Sequence, residues 1–427
     1  MKKSFDRVHE TMLTHTLPNG LPIYYIPKEG FSKTFAMLAT NFGSVDADFT
    51  MEDGTHIVTP AGVAHFLEHK MFEDEDGNAL QKFAATGAMP NAFTSHNMTA
   101  YHFSCTDSFE KNLEILLKFV FTPYFTDENV EKEKGIIGQE IGMMDDQPFW
   151  QTYVGMYQAL YHEHPVRISI AGSVDSIAGI TPELLYQCHK AFYSPANMAL
   201  VVCGQADFDT IVSMAQKFSP EKAAHIAARG YGTRRPTICQ SEVVKRMAVS
   251  RPYFMIGFKD DPVQAGESRL QRQLVGELCS RILAGETSTL YTELYRDGLI
   301  DRQFQNGYSL HPEAACAYFV GNSHAARDVR ARLEARVQEL ARDGVDPAVF
   351  ERIWRAAYGM TLRTLDQPDE ICRAQCEAVF GGEDFFDFAE LQAAITREQV
   401  QARFAVWAQP ERSVLSLIEP LSGPEKG

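Results

Sequence analysis

The stretch AHFLEHKMF, Ala64 to Phe72, carries two histidines four residues apart, His65 and His69, with Glu68 beside the second. No Gly or Pro interrupts it, and Ala, Phe, Leu, Met, Glu and Lys are all compatible with a helix. On a helix, residues i and i+4 lie one turn apart on one face. His65 and His69 then point the same way, and Glu68 borders their face. A single histidine on a half-apolar helix is ordinarily a boundary residue with a satisfied hydrogen bond. Two at this spacing, with a carboxylate between them, have a chemical reading. Neutral imidazole is the commonest zinc ligand, and a catalytic zinc takes three protein ligands. Two histidines a turn apart can reach one ion. Glu68 is poorly angled for coordination but well placed to take a proton from an attacking water.

Such a site needs a third ligand. Downstream, TDENVEKEKGIIGQEIGMMDDQP (Thr126 to Pro148) reads as a helix. Thr126 or Asp127 caps its start, acidic residues fill its first turn and Pro148 ends it. Glu133 and Glu140 are two turns apart and share a face. Glu140 is set among Ile136, Ile137 and Ile141, whereas Glu131 and Glu133 read as a solvated end. Gly135, Gly138 and Gly142 each cost roughly 1 kcal/mol in a helix relative to Ala. Close packing against a neighbour carrying His65 and His69 would account for them.

H-x-x-E-H is the H-E-x-x-H metal helix written in reverse. Followed downstream by E-x6-E, it resembles the pitrilysin-type peptidases, the inverzincins. By position, the resemblance implies one zinc per chain held by His65, His69 and Glu140. It also implies Glu68 as the base and Glu133 as a supporting glutamate of the catalytic set. PNAFTSHNMTAYHFSC (Pro90 to Cys105) resembles the strand that follows the family's metal helix. Asn91, Ala92, Phe93, Thr94 and Tyr101 are then expected at the substrate, because a sheet edge can accept an extended peptide as an added strand. HPVRISIAGSVDSI and FYSPANMALVVCGQAD resemble later landmarks of the first half. The likeness covers nearly the whole chain, most strongly residues 15–206, and is closest to short bacterial members that act as one subunit of a pair.

One departure bears on partners. Full-length family members use an Arg and a Tyr, seven apart, to steady the substrate. In STLYTELYRDGLIDRQF (Ser288 to Phe304) those positions hold Tyr295 and Asp301, with Arg296 and Arg302 out of register. The expectation is a zinc metalloendopeptidase that cleaves peptides or unfolded segments as the catalytic subunit of a heterodimer. A metal-free sister would supply the Arg/Tyr pair; in a homodimer, Arg296 or Arg302 would serve instead. The competing reading is a non-catalytic interaction or maturation-accessory subunit, since short bacterial relatives are sometimes named for elongation factor P modification.

The chain of 427 residues is long enough for two sizeable cores. Its composition, 45% hydrophobic and 22% charged, is that of a globular protein, and its net charge of −16 with no basic stripe argues against nucleic-acid binding. No apolar run long enough for a transmembrane span and no signal-type leader is read, so the expectation is a cytoplasmic protein without membrane contact. The eight cysteines include no C-x-x-C pair and fit reduced, mostly buried thiols. The element order reads as α+β with two homologous halves, each a mostly antiparallel sheet with helices on one face. The expected boundaries are 1–217 for the zinc-binding half, 218–240 for a linker rich in Pro, Gly and Arg, and 241–427 for a second half without the metal motif.

Overall fold

A computed structural model gives the structure of residues 1–75 and 77–421; residues 422–427 of the expected second half lie outside the described residues. The chain forms two units that trade segments. The first comprises Met1–Ile141, Ser169–Gly230 and Thr361–Ala389; the second comprises Gly142–Ile168, Tyr231–Met360 and the chain from Glu390 on.

The first unit is built on strands β1 (Lys2–Phe5), β2 (Glu10–Thr16), β3 (Pro22–Pro27), β4 (Thr34–Thr40), β5 (Met89–Thr94), β6 (Thr99–Cys105) and β7 (Met198–Gly204). Their order is β1-β2-β3-β7-β4-β6-β5. Only the β3–β7 pairing is parallel. The Pro-Asn-Gly turn between β2 and β3 closes through Leu17 N–H to Leu21 O at 2.9 Å, with Gly20 at φ +91°. β4 and β7, TFAMLAT and MALVVCG, lie in the middle of the sheet and are buried along their whole length, as continuous apolar runs should be.

The second unit repeats the plan. Its strands are β8 (Glu242–Met247), β9 (Tyr253–Asp260), β10 (Gln305–His311), β11 (Ala314–Asn322) and β12 (Ser413–Pro420). Their order is β8-β12-β9-β11-β10. The opening strand again runs parallel to the closing one, and every other pairing is antiparallel. The five strands β3-β7-β4-β6-β5 and β8-β12-β9-β11-β10 thus share order and direction, and the expected α+β duplication is borne out.

Three helices of the first unit are α1 (Val63–Lys70), α2 (Phe109–Phe121) and α3 (Asp127–Asp145), whose last turn runs on into the second unit. In the second unit, α4 (Arg269–Ala284) follows β9 as α1 follows β4, but it carries no H-x-x-E-H. Strand alternation sorts the side chains of β6 between faces. Tyr101 and Phe103 meet Phe119 of α2 and Phe83. His102, one residue out of phase, stacks on Phe35 and feels Asp369 of the helix Pro368–Phe380, which packs on β7 and β4. In the second unit the helix Pro148–Leu160 lies so close to the sheet that a Cβ on Gly155 would come within 2.4 Å of Ser416 Oγ. Within the stretch 218–240, Ile226–Arg229 is a strand paired with Phe49–Met51, and Arg229 binds Asp46 at 2.7 Å. Among the described residues, no helix is long and apolar enough to cross a membrane.

Candidate metal centre

The start of α1 is locked by two backbone contacts. Gly62, its N-cap, has φ +93°, and a Cβ there would meet Ala171 O at 2.5 Å. Gly172, at φ +74°, lies as close to Ala61 O. Only glycine tolerates both the left-handed backbone and the approach. Ser176 Oγ adds a hydrogen bond to Ala61 O at 2.8 Å. The HPVRISIAGSVDSI segment therefore sets where α1 begins. From there Val63, Ala64, Phe66 and Leu67 are buried, which turns His65, Glu68 and His69 to the other side.

The cap of α3 is reciprocal: Asn129 N–H donates to Thr126 Oγ1 at 3.2 Å, and Thr126 N–H to Asn129 Oδ1 at 3.0 Å. Thr126 is thus the N-cap, and Pro148 starts the following helix. The buried face of α3 is Val130, Glu133, Ile137 and Ile141, with Glu140 on its flank.

Together α1 and α3 converge His65, His69 and Glu140, whose donor atoms all lie within 4.8 Å of one another. Glu140 Oε1 is 3.6 Å from His65 Nε2, and Oε2 is 3.4 Å from His69 Nε2. Charge-assisted hydrogen bonds are shorter, about 2.7–2.9 Å. Two donors each about 2.0–2.1 Å from one tetrahedral centre are separated by roughly 3.3–3.4 Å. The two histidine–glutamate separations are near that spacing, and the three donors can converge on one ion; a set of two imidazoles and a carboxylate suits zinc. His65 Nδ1 is buried without a hydrogen-bond partner. His69 Nδ1, by contrast, lies 3.0 Å from Glu133 Oε1, which fixes the ring and leaves Nε2 free for the cluster.

Behind Glu133 stands Lys70, with no exposed side-chain surface, its ammonium 2.6 Å from Glu73 and 3.7 Å from Glu133. Burial works against the charge on Glu133, but the His69 hydrogen bond and Lys70 hold its carboxyl below the usual range. Burial also opposes charge on His69, yet the Glu133 hydrogen bond and the carboxylates of Glu68 and Glu140 raise its pKa. The His65 contact draws Glu140 down against partial burial. Glu68 shifts the other way: desolvation raises it, only partly offset by a hydrogen bond from Thr94 and by the two imidazoles.

Several sequence expectations change here. Glu133 is no solvated end: its side chain is 7% exposed, whereas that of Glu131 is 75% exposed. Three glycines of α3 do not mark close packing, because a Cβ at Gly135, Gly138 or Gly142 would meet nothing within 4 Å. They lie off the helix's buried face. Asn91, Ala92, Phe93 and Thr94 lie on β5, the last strand in its sheet, with Asn91 exposed and the others half-buried. Tyr101 is elsewhere: it has no exposed surface, and its hydroxyl is committed to that of Tyr193 at 2.7 Å. Thr94 turns inward, its Oγ1 2.6 Å from Glu68 Oε2. Sequence reasoning missed Lys70. Its signal was a charge at the apolar spacing of Val63, Phe66 and Leu67. In the second unit, Tyr295 is exposed, Arg296 contacts Asp297 and Asp301 pairs with Arg251.

A duplicated α+β chain with an inverted histidine motif and a distant glutamate defines a metallopeptidase-type fold. Residues 57–173 match the family model "Insulinase (Peptidase family M16)", and residues 179–356 match "Peptidase M16 inactive domain". The chain is 37% identical over 414 residues to the "Uncharacterized zinc protease YmfH" of Bacillus subtilis, covering 93% of this chain and 94% of that protein. A crystal structure of a putative M16-like peptidase from Alicyclobacillus acidocaldarius superposes with a TM-score of 0.92 at 34% identity, over 96% of this chain and 99% of that one. Pitrilysin shares the fold, with a TM-score of 0.74 at 16% identity, and this chain spans 45% of its length. The chain belongs to peptidase family M16.

Proposed function

We propose that the protein is a zinc-dependent endopeptidase that cleaves internal bonds of peptides or unfolded segments. The observation that carries this reading is the convergence of His65, His69 and Glu140 within 4.8 Å beside the half-buried Glu68. Zinc bound there would supply Lewis acidity, polarising the scissile carbonyl and lowering the pKa of a water to about 7. His65, His69 and Glu140 would hold it, and Glu133 would orient His69. Glu68 takes the proton of the attacking water and delivers it to the leaving amine. The M16 inactive-domain match begins at residue 179, after all of these residues, so a metal-free second half fits a catalytic first half.

β5 is the proposed docking edge, with Asn91 to Thr94 pairing an extended peptide by backbone hydrogen bonds. Because Tyr295 and Asp301 stand where the family's Arg and Tyr are expected, the proposed partner is a homologous metal-free chain, or a second copy of this one. Eight free cysteines, seven of them buried, support a cytoplasmic setting. The test is elemental analysis together with turnover of an unfolded polypeptide. One zinc per chain, lost in Glu140→Ala, and a Glu68→Gln variant that keeps zinc but loses turnover are expected. Stoichiometric zinc in Glu140→Ala, or full turnover in Glu68→Gln, would refute the assignment.

A further inference from the structure

The hydroxyl of Thr94 lies 2.6 Å from Glu68 Oε2, in the range of an O–H donor to a charged oxygen. Thr94 has a second neighbour, Thr99 Oγ1 at 3.3 Å, directly across the β5–β6 pairing. Thr99 Oγ1 donates its own proton to Phe42 O at 2.9 Å. A hydroxyl has one proton to give. With the proton of Thr99 committed to Phe42, and Glu68 far the closer acceptor, Thr94 gives its proton to Oε2.

We infer that Thr94 is a positioning residue for Glu68: its hydroxyl fixes the carboxylate through Oε2 and so reserves Oε1 as the oxygen that carries the proton during peptide hydrolysis. Oε2 spends one of its acceptor sites on Thr94, which leaves Oε1 the less committed of the two oxygens for an incoming proton. As the water oxygen bonds to the carbonyl carbon, one water proton passes to Glu68 Oε1. That proton moves to the amide nitrogen as the C–N bond breaks, leaving a carboxyl group and an amine. Oε2 keeps its hydrogen bond throughout, so the base does not turn between the two transfers. The role differs from the substrate contact expected for Thr94 from its strand, and it rests on the reading of Glu68 as the base.

The test compares Thr94→Val, which keeps shape and removes the hydroxyl, with Thr94→Ser, which restores it. With an unfolded polypeptide as substrate, Thr94→Val should lower kcat about 10- to 100-fold, since small misplacements of reacting groups cost that much. KM should stay within about twofold and zinc content should not change. Thr94→Ser should recover most of kcat. In crystals of the metal-free variants, Glu68 should keep its place in Thr94→Ser and turn away in Thr94→Val; this readout stands whether or not the chain turns over alone. A raised KM at unchanged kcat, or a Glu68 carboxylate in Thr94→Val that superposes on the wild type, would overturn the inference. An active Glu68→Gln would instead remove the base reading beneath it, whereas an inactive Glu68→Gln beside a fully active Thr94→Val would end the role of Thr94 alone.

Discussion

Glu133 makes no contact with the three-donor cluster's centre, yet its removal should weaken zinc binding. Its carboxylate accepts from His69 Nδ1 at 3.0 Å and lies 3.7 Å from Lys70. A hydrogen bond to a charged group contributes about 1.5–3 kcal/mol, and partners that orient ligands typically contribute 10- to 100-fold to metal affinity. Glu133→Ala removes the acceptor outright and should weaken zinc 10- to 100-fold, or about 1.4–2.8 kcal/mol. Glu133→Gln keeps an oxygen near the same place and loses the charge. Charged acceptors bind about twice as strongly as neutral ones, so this variant should fall roughly midway. Lys70 retains Glu73 at 2.6 Å in both variants, so a folded protein is expected. The assay is competition with a chromophoric chelator at a fixed pH of about 8, above the ordinary imidazole range, to limit proton competition. Metal-free urea unfolding runs in parallel to separate affinity from folding. A folded Glu133→Ala variant with zinc affinity within about twofold of the wild type would refute the reasoning.

Other consequences can be checked separately. His164 and His189 are buried, donate to Pro312 O and Val120 O, and have pKa values lowered to about 4 by desolvation. The unfolded chain binds more protons than the native one between about pH 6.5 and 4, so stability is full above that window and falls as pH drops through it. His189→Gln should flatten the slope in urea unfolding, and an unchanged slope would exclude this histidine as a source. Gly62→Ala forces a side chain onto φ +93° and against Ala171 O. It should destabilise the protein by more than about 1 kcal/mol, and a wild-type melting temperature would contradict the lock at the start of α1. If β5 is the docking edge, one polypeptide should be cut faster unfolded than folded, and equal rates would end that idea. Adding a metal-free homologue with the Arg/Tyr pair should raise turnover by about 10²–10³ for each transition-state donor supplied. Full turnover of the lone chain, lost in Arg296→Ala or Arg302→Ala, would establish the homodimer instead.

The sequence by itself determined whatever depends on local period and turn chemistry. Spacing put His65 and His69 on one face of a helix, and a cap at Thr126 or Asp127 opened the next. The Pro-Asn-Gly turn closed β2 on β3, and the repeated order of elements announced two halves. The resemblance to the pitrilysin type supplied Glu140 and Glu133 as partners. Local period says which residues share a face, but not what that face meets. That is why Glu133 read as solvated, why Gly135, Gly138 and Gly142 read as packed, and why Tyr101 read as reachable by substrate. Tertiary contacts decided each of them: α1 brings His69 and Lys70 onto Glu133 across 64 residues of sequence, open space lies beside the glycines, and Tyr193 takes the Tyr101 hydroxyl. Thr94 belongs to the same class. On a strand its side chain must point to one face or the other, and only the placement of α1 beside β5 put Glu68 within reach of its single proton.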